Sequence, residues 1–135
     1  MRVAFASDEA TPLTAELQAR LRAGGHELLL LGEGDPWPTA GRLVGEAVAS
    51  GAADRGVVCC WTGTGVSMAA NKVEGVRAAL CTDAETARGA RRWNDANVLA
   101  LSLRLTSSAL AGELLDAFFG TDVDPDELEA IGQLR

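Results

Sequence analysis

The residues best placed for chemistry lie between Val57 and Leu80, which read V-V-C-C-W-T-G-T-G-V-S-M-A-A-N-K-V-E-G-V-R-A-A-L. An apolar run ends in Cys59 and Cys60, a Thr/Gly-rich turn follows, and a short helical pattern closes at Asn71-Lys72. A strand, a loop of free backbone amides and a helix start together form a ready site for an anion or oxyanion. Cys60 stands at the mouth of that loop. Strand alternation sends Cys59 to the opposite face. The same residues also fit a plainer reading, a tight strand-to-helix turn that needs Gly63 and Gly65 and a buried cysteine acting as a small hydrophobe.

The flanking sequence supplies elements to hold this loop. Arg2–Ser7 is an apolar run ending in the polar turn Ser7-Asp8-Glu9-Ala10, and Leu13, Leu17 and Leu21 then recur at helical spacing up to Gly24-Gly25. His26–Leu31 reads as a second, buried strand, Gly32–Thr39 as a loop, and Ala40–Gly51 as a helix. Arg55–Cys60 is the third strand, Val76–Cys81 the fourth and Val98–Ser102 the fifth. Helical patterns cover Asp83–Trp93, with Thr82 or Asp83 as cap, then Ser107–Phe119, and Asp124–Leu134 with Pro125 in its first turn.

Strands alternating with helices predict an α/β chain, a three-layer Rossmann-like doubly wound fold around a five-stranded parallel sheet. Ligands in such folds sit at the carboxyl ends of the strands. Three polar loops fall there: Ser7–Ala10, Trp61–Gly65 and Thr82–Asp83.

Composition narrows the function. The 135 residues fit one domain spanning 1–135, and the 47% apolar and 23% charged content is that of an ordinary globular protein. A net charge of −7 argues against nucleic acid or an acidic membrane surface as partner. An anionic substrate stays open, because a nest of amides reverses the local field. Three cysteines, Cys59, Cys60 and Cys81, and a single histidine are neither a disulfide framework nor a zinc set. No apolar run nears the ~20 residues of a membrane span, and no signal pattern precedes the first strand. A reduced, cytoplasmic protein is expected. The spacing G-T-G after a third strand is not the dinucleotide fingerprint, so no cofactor and no metal are expected.

At Cys60–Lys72 the sequence resembles the ribose-5-phosphate isomerase type B family, which includes the galactose-6-phosphate isomerase subunits. The family pattern C-G-T-G-x-G-x-S-x-A-A-N-K stands here as C-W-T-G-T-G-V-S-M-A-A-N-K. Three further blocks agree in order: S-D-E-A at Ser7–Ala10, V-R-A-A-L-C at Val76–Cys81, and R-R-W-N-D-A-N-V-L-A-L at Arg91–Leu101. The resemblance implies an aldose–ketose isomerase of carbohydrate metabolism working through a cis-enediolate. It implies Cys60 as the base, with its thiolate favoured by the helix dipole, and Thr62 near the sugar oxygens. It implies an oxyanion hole from the amides of Gly63, Thr64 and Gly65. It places Asp8, Asn94 and Arg104 at substrate-contacting positions. It also implies a homodimer or dimer of dimers, with the Trp93 region facing the partner's Cys60 and the helix at 124–134 packing on a partner.

The departures from the pattern bear on substrate. Trp93 stands where the family has its ring-opening histidine, Glu9 where it has a histidine after the first aspartate, and Trp61 where it has the first loop glycine. Pro36-Trp37-Pro38 echoes a D-Y-P block, and the arginine-rich C-terminal segment is replaced by D-P-D-E-L-E-A-I-G-Q-L-R. Indole has no usable proton chemistry, and Glu9 repels a phosphate. These changes predict an isomerase whose carbohydrate or related carbonyl substrate differs from ribose 5-phosphate. Glu9, Trp61 and Trp93 are candidate substrate contacts in it. The alternative is a non-catalytic ligand-binding paralogue, or an accessory subunit of a hetero-oligomeric isomerase. At each candidate a structural role competes: Asp8 and Thr62 as helix caps, Asn94 as a helix end, Arg104 in an ion pair, Trp61 and Trp93 in packing.

Overall fold

A period-two alternation of small and large apolar residues divides the strands between two cores. Val3, Phe5, Val57, Cys59, Leu99 and Leu101 face one side of the sheet, and Ala4, Ala6, Val58, Cys60, Val98 and Ala100 face the other. The computed structural model describes residues 1–134. Its elements are β1 (Arg2–Ser7), α1 (Pro12–Ala23), β2 (Glu27–Glu33), α2 (Trp37–Ala49), β3 (Arg55–Cys60), α3 (Thr64–Asn71), β4 (Ala78–Leu80), α4 (Ala84–Asn94), β5 (Val98–Ser102) and α5 (Ser108–Gly120). A 3-10 turn at Pro125–Glu127 then leads into α6 (Leu128–Gly132).

The five strands form one parallel sheet in the order β2-β1-β3-β5-β4. Helices α1, α4 and α5 cover the large-residue face, and α2 and α3 cover the small-residue face. The expected three-layer, doubly wound fold is therefore present. The strand order reverses between β1 and β3, so the loops after these two strands flank the topological switch point. Small residues on the α2/α3 face let the helices come close. A Cβ on Gly41 would stand only 2.7 Å from the Val66 carbonyl oxygen.

Several boundaries differ from expectation. The loop expected over Gly32–Thr39 is shorter, because β2 continues to Glu33 and α2 starts at Trp37. Pro36 holds φ at −52° as the N-cap, and Pro38 falls in the first helical turn, where its missing N–H costs nothing. Strand β2 is an edge strand with Leu30 exposed, not a buried one. The fourth strand shrinks to three residues at the other edge. The helix expected over 124–134 divides, because the Asp124 side chain accepts from the Asp126 N–H and tightens the first turn to 3-10. The cap of α4 is Asp83, accepting from the Thr86 N–H at 2.7 Å. No helix among the described residues is long and apolar enough to cross a membrane.

Candidate active site

Strand β3 delivers Cys60 to the carboxyl edge of the sheet with its thiol almost fully buried. The chain then turns at Gly63, whose φ of +79° lies in the left-handed region. A Cβ there would come within 2.9 Å of the Leu101 carbonyl carbon and 3.0 Å of the Ser102 nitrogen, so only glycine fits. The Gly63 N–H donates to Cys60 Sγ at 3.2 Å. The hydrogen bonding of α3 itself begins with Ser67 N–H to the Gly63 carbonyl, leaving the preceding amides of Thr64, Gly65 and Val66 at the open helix start.

The segment after β5 holds this loop in place. Ser102 Oγ donates to the Trp61 carbonyl at 3.0 Å, Arg104 N–H to the same oxygen at 3.1 Å, and Leu103 N–H to the Cys60 carbonyl at 2.9 Å. Arg104 therefore lies beside the loop, exposed, with no ion pair among the described residues. Thr62 is not a helix cap; Gly63 occupies that position. Thr62 Oγ1 instead shares a 2.8 Å hydrogen bond with Thr64 Oγ1, both residues exposed.

On the other flank, Asp8 follows the end of β1, and its N–H donates to the Cys59 carbonyl at 3.2 Å. The α1 cap is Thr11, so Asp8 is not used there. Asp8 Oδ1 is buried without a hydrogen-bond partner, the one such side-chain atom among the described residues. Desolvation, and secondarily the charge of Glu9, pushes the Asp8 carboxyl above its usual range. Glu9 is exposed, its backbone tied to Ser7: Ser7 Oγ donates to the Glu9 carbonyl at 2.7 Å and accepts from its N–H at 3.3 Å.

Trp61 is 60% exposed at the rim. A second indole reaches the loop from α2, one for which the sequence had suggested no role. The Trp37 ring lies against Gly65, whose Cβ would be 2.9 Å from Trp37 Cδ2 and Cε3. The signal was the P-W-P block, but reading Gly32–Thr39 as loop hid its position at the first turn of a helix packed on α3. Ser102 was also missed, and nothing in its local sequence marks it.

Trp93 and Asn94 do not join this group. They end α4, which runs back toward the amino ends of the strands, and Trp93 is exposed with its ring on its own Gly89. Asn94 lines a cleft with Lys72, Arg77 and Leu134, beside the start of β4. The length of β5, at ~3.3 Å per residue, separates that end from Cys60. Asn94 is not the helix cap, a position Asp95 takes at φ 47°.

The three thiols are not equivalent. Burial pushes the Cys59 thiol far up, and pushes Cys81 up to about 11. Only Cys60 sits against the amide loop. Among the described residues no three metal-ligating side chains converge. A buried thiol under an open helix start, flanked by the segments that carry Asp8 and Arg104, suits proton transfer next to a carbonyl whose oxygen the amides can hold.

This fold and site define an α/β isomerase, and comparison with known proteins gives the family. The ribose/galactose isomerase family model matches residues 3–131, and the chain belongs to that family of aldose–ketose isomerases. It is 37% identical over 130 residues to a galactose-6-phosphate isomerase subunit of Clostridium acetobutylicum, covering 93% of this chain and 75% of the relative. It is 36% identical over 128 residues to ribose-5-phosphate isomerase B of Escherichia coli, covering 91% and 86%. The solved ribose-5-phosphate isomerase B of Clostridium thermocellum superposes with a TM-score of 0.93 at 37% identity, covering 98% of this chain and 94% of that one.

Proposed function

We propose that this protein interconverts an aldose and a ketose through a cis-enediolate, with Cys60 as the base and a substrate altered from ribose 5-phosphate. The observation that carries this reading is the Gly63 N–H to Cys60 Sγ contact of 3.2 Å. It fixes the sulfur directly beneath the amide loop. Cys60 takes the proton from C2 of the aldose, and the electron pair moves to form the C1–C2 double bond. The Gly63 N–H, expected in the oxyanion hole, is spent on the sulfur, and the developing charge on O1 is held by the loop amides of Thr64 and Gly65. The paired hydroxyls of Thr62 and Thr64 exchange protons with O1 and O2, and return of the proton to C1 gives the ketose. Trp37 and Trp61 offer flat apolar faces to the sugar ring.

Trp93 and Asn94 enter the site from a second copy of the chain, in a homodimer or dimer of dimers, because α4 carries them away from Cys60 of their own subunit. Residues 124–134 pack on that partner. The chain is one domain, working in the cytoplasm. One observation favours a second reading, an accessory or ligand-binding subunit: Trp93 has no group able to open a sugar ring.

Deuterium exchange at C2, followed by NMR over a panel of aldoses and aldose phosphates, tests the proposal. Wild type should wash deuterium into one of them, and Cys60→Ala should not. Full turnover by Cys60→Ala removes Cys60 as the base.

A further inference from the structure

The two ends of the amide loop are held differently. Its upstream end is pinned by the segment after β5, through the bonds from Leu103, Ser102 and Arg104 to the carbonyls of Cys60 and Trp61. Its downstream end, Thr64-Gly65, carries the amides left for an oxyanion. Among the described residues no hydrogen bond from another element reaches that end. Helix α3 is only eight residues long, and its start has no side-chain cap. The Thr64 hydroxyl turns to Thr62 and not to the helix. What meets this end is Trp37. Its indole lies on Gly65, where a Cβ would stand 2.9 Å from Cδ2 and Cε3 and 3.3 Å from Cγ. The absence of a side chain at Gly65 lets the ring come down on the backbone. Pro36 and Pro38 flank Trp37 at the first turn of α2 and stiffen the chain on either side of it. Farther along the two helices Gly41 packs against Val66 and Ala69, so the frame that carries the indole is locked to α3. The indole is nevertheless 45% exposed, and burial in a core does not account for its place.

We infer that Trp37 is a positioning residue for the reaction: its ring bears on Gly65 and holds the Thr64 and Gly65 amides where an enediolate oxygen needs them. This role rests on reading the Cys60 loop as the reaction site. Donors to an oxyanion must stand within roughly 0.5 Å of the productive geometry, and a misplacement of about 1 Å costs a large factor in rate. A short helix start without a cap frays. An indole seated on it removes that freedom before substrate arrives. Trp37 thus acts on the transition state through the amides, in addition to any face it offers the sugar.

Two probes of the intact protein isolate this role. Ribitol 5-phosphate cannot form an enediolate. 4-Phosphoerythronohydroxamate has the same chain length and carries a planar hydroxamate in the enediolate's place. By calorimetric titration wild type should bind the hydroxamate at least about tenfold tighter than the alditol, and Trp37→Ala should lower that ratio about tenfold. The ratio cancels whatever the indole face gives to both ligands. Trp37→Phe keeps a flat ring over Gly65 and should restore it. A Trp37 that served the fold alone would weaken both probes alike and leave the ratio unchanged, which overturns the inference. Without any ligand, Gly65→Ala should lower the urea midpoint of wild type and not that of Trp37→Ala, and equal shifts in both backgrounds also overturn it. A wild type that does not prefer the hydroxamate refutes the reaction-site reading and the inference together. A preference that survives Trp37→Ala refutes the inference alone.

Discussion

The Gly63 amide and the Cys60 sulfur meet at 3.2 Å because the chain turns through φ +79° immediately after β3. That turn brings the Gly63 amide of the loop back over the last side chain of the strand. Gly63→Ala is therefore expected to damage both fold and chemistry. The added Cβ meets the backbone at Leu101 and Ser102, which cannot swing aside as a side chain would. A loss of about 2 kcal/mol or more in urea unfolding should accompany a loss of isomerisation. Wild-type stability in this variant would refute the steric account.

Alkaline pH should weaken the fold. Burial raises the Cys81 thiol from 9.0 to about 11 and raises Cys59 further. The native state thus keeps protons that the unfolded chain gives up. Stability is level below the unfolded thiol pKa and falls as pH rises through it toward the folded values. Denaturation midpoints should decline between about pH 9 and pH 11. Alkylation of the native protein near neutral pH should reach neither Cys59 nor Cys81.

The N-D-A-N block owes much to Arg91. Its buried guanidinium donates from Nη1 to Asp95 Oδ1 at 2.8 Å and to the Ala96 carbonyl at 2.6 Å, and from Nε to the Thr121 carbonyl at 3.1 Å. Arg77 grips the same Asp95 from β4's side, through its carbonyl at 2.8 Å and its Oδ2 at 3.2 Å. Arg91→Leu leaves those acceptors unpaired and should cost about 3 kcal/mol by chemical denaturation. An exposed pair such as Arg42–Glu46 should cost under about 1 kcal/mol when broken.

Mixing variants tests the shared site. Cys60→Ala and Asn94→Ala should each be inactive alone. If Asn94 serves the partner's Cys60, unfolding and refolding them together makes heterodimers with one intact site. Activity should recover to about a quarter of wild type for a twofold-symmetric dimer. No recovery would mean that Asn94 does not serve the partner's Cys60.

Much of this molecule is legible from local pattern. Apolar runs separated by helical spacing mark the alternating elements, because each element must bury one face. The alternation in V-V-C-C already assigns Cys59 and Cys60 to opposite sides, since a strand's period is two. The glycines of the Trp61–Gly65 loop mark where the backbone must turn sharply. What local pattern cannot supply is who lies beside whom. Strand order is decided by pairing between distant segments, and it alone makes β2 and β4 edges and brings Asp8 and Arg104 to either side of Cys60. The close approach of α2 to α3, through Gly41, is what lays Trp37 on Gly65. The direction of α4 takes Trp93 and Asn94 to the far end of the sheet from Cys60 of their own subunit. Side-chain periodicity and backbone freedom are local, so the elements, their buried faces and the glycine loop can be read along the chain. Which candidate residues share an end of the sheet depends on long-range packing and is visible only in the folded molecule.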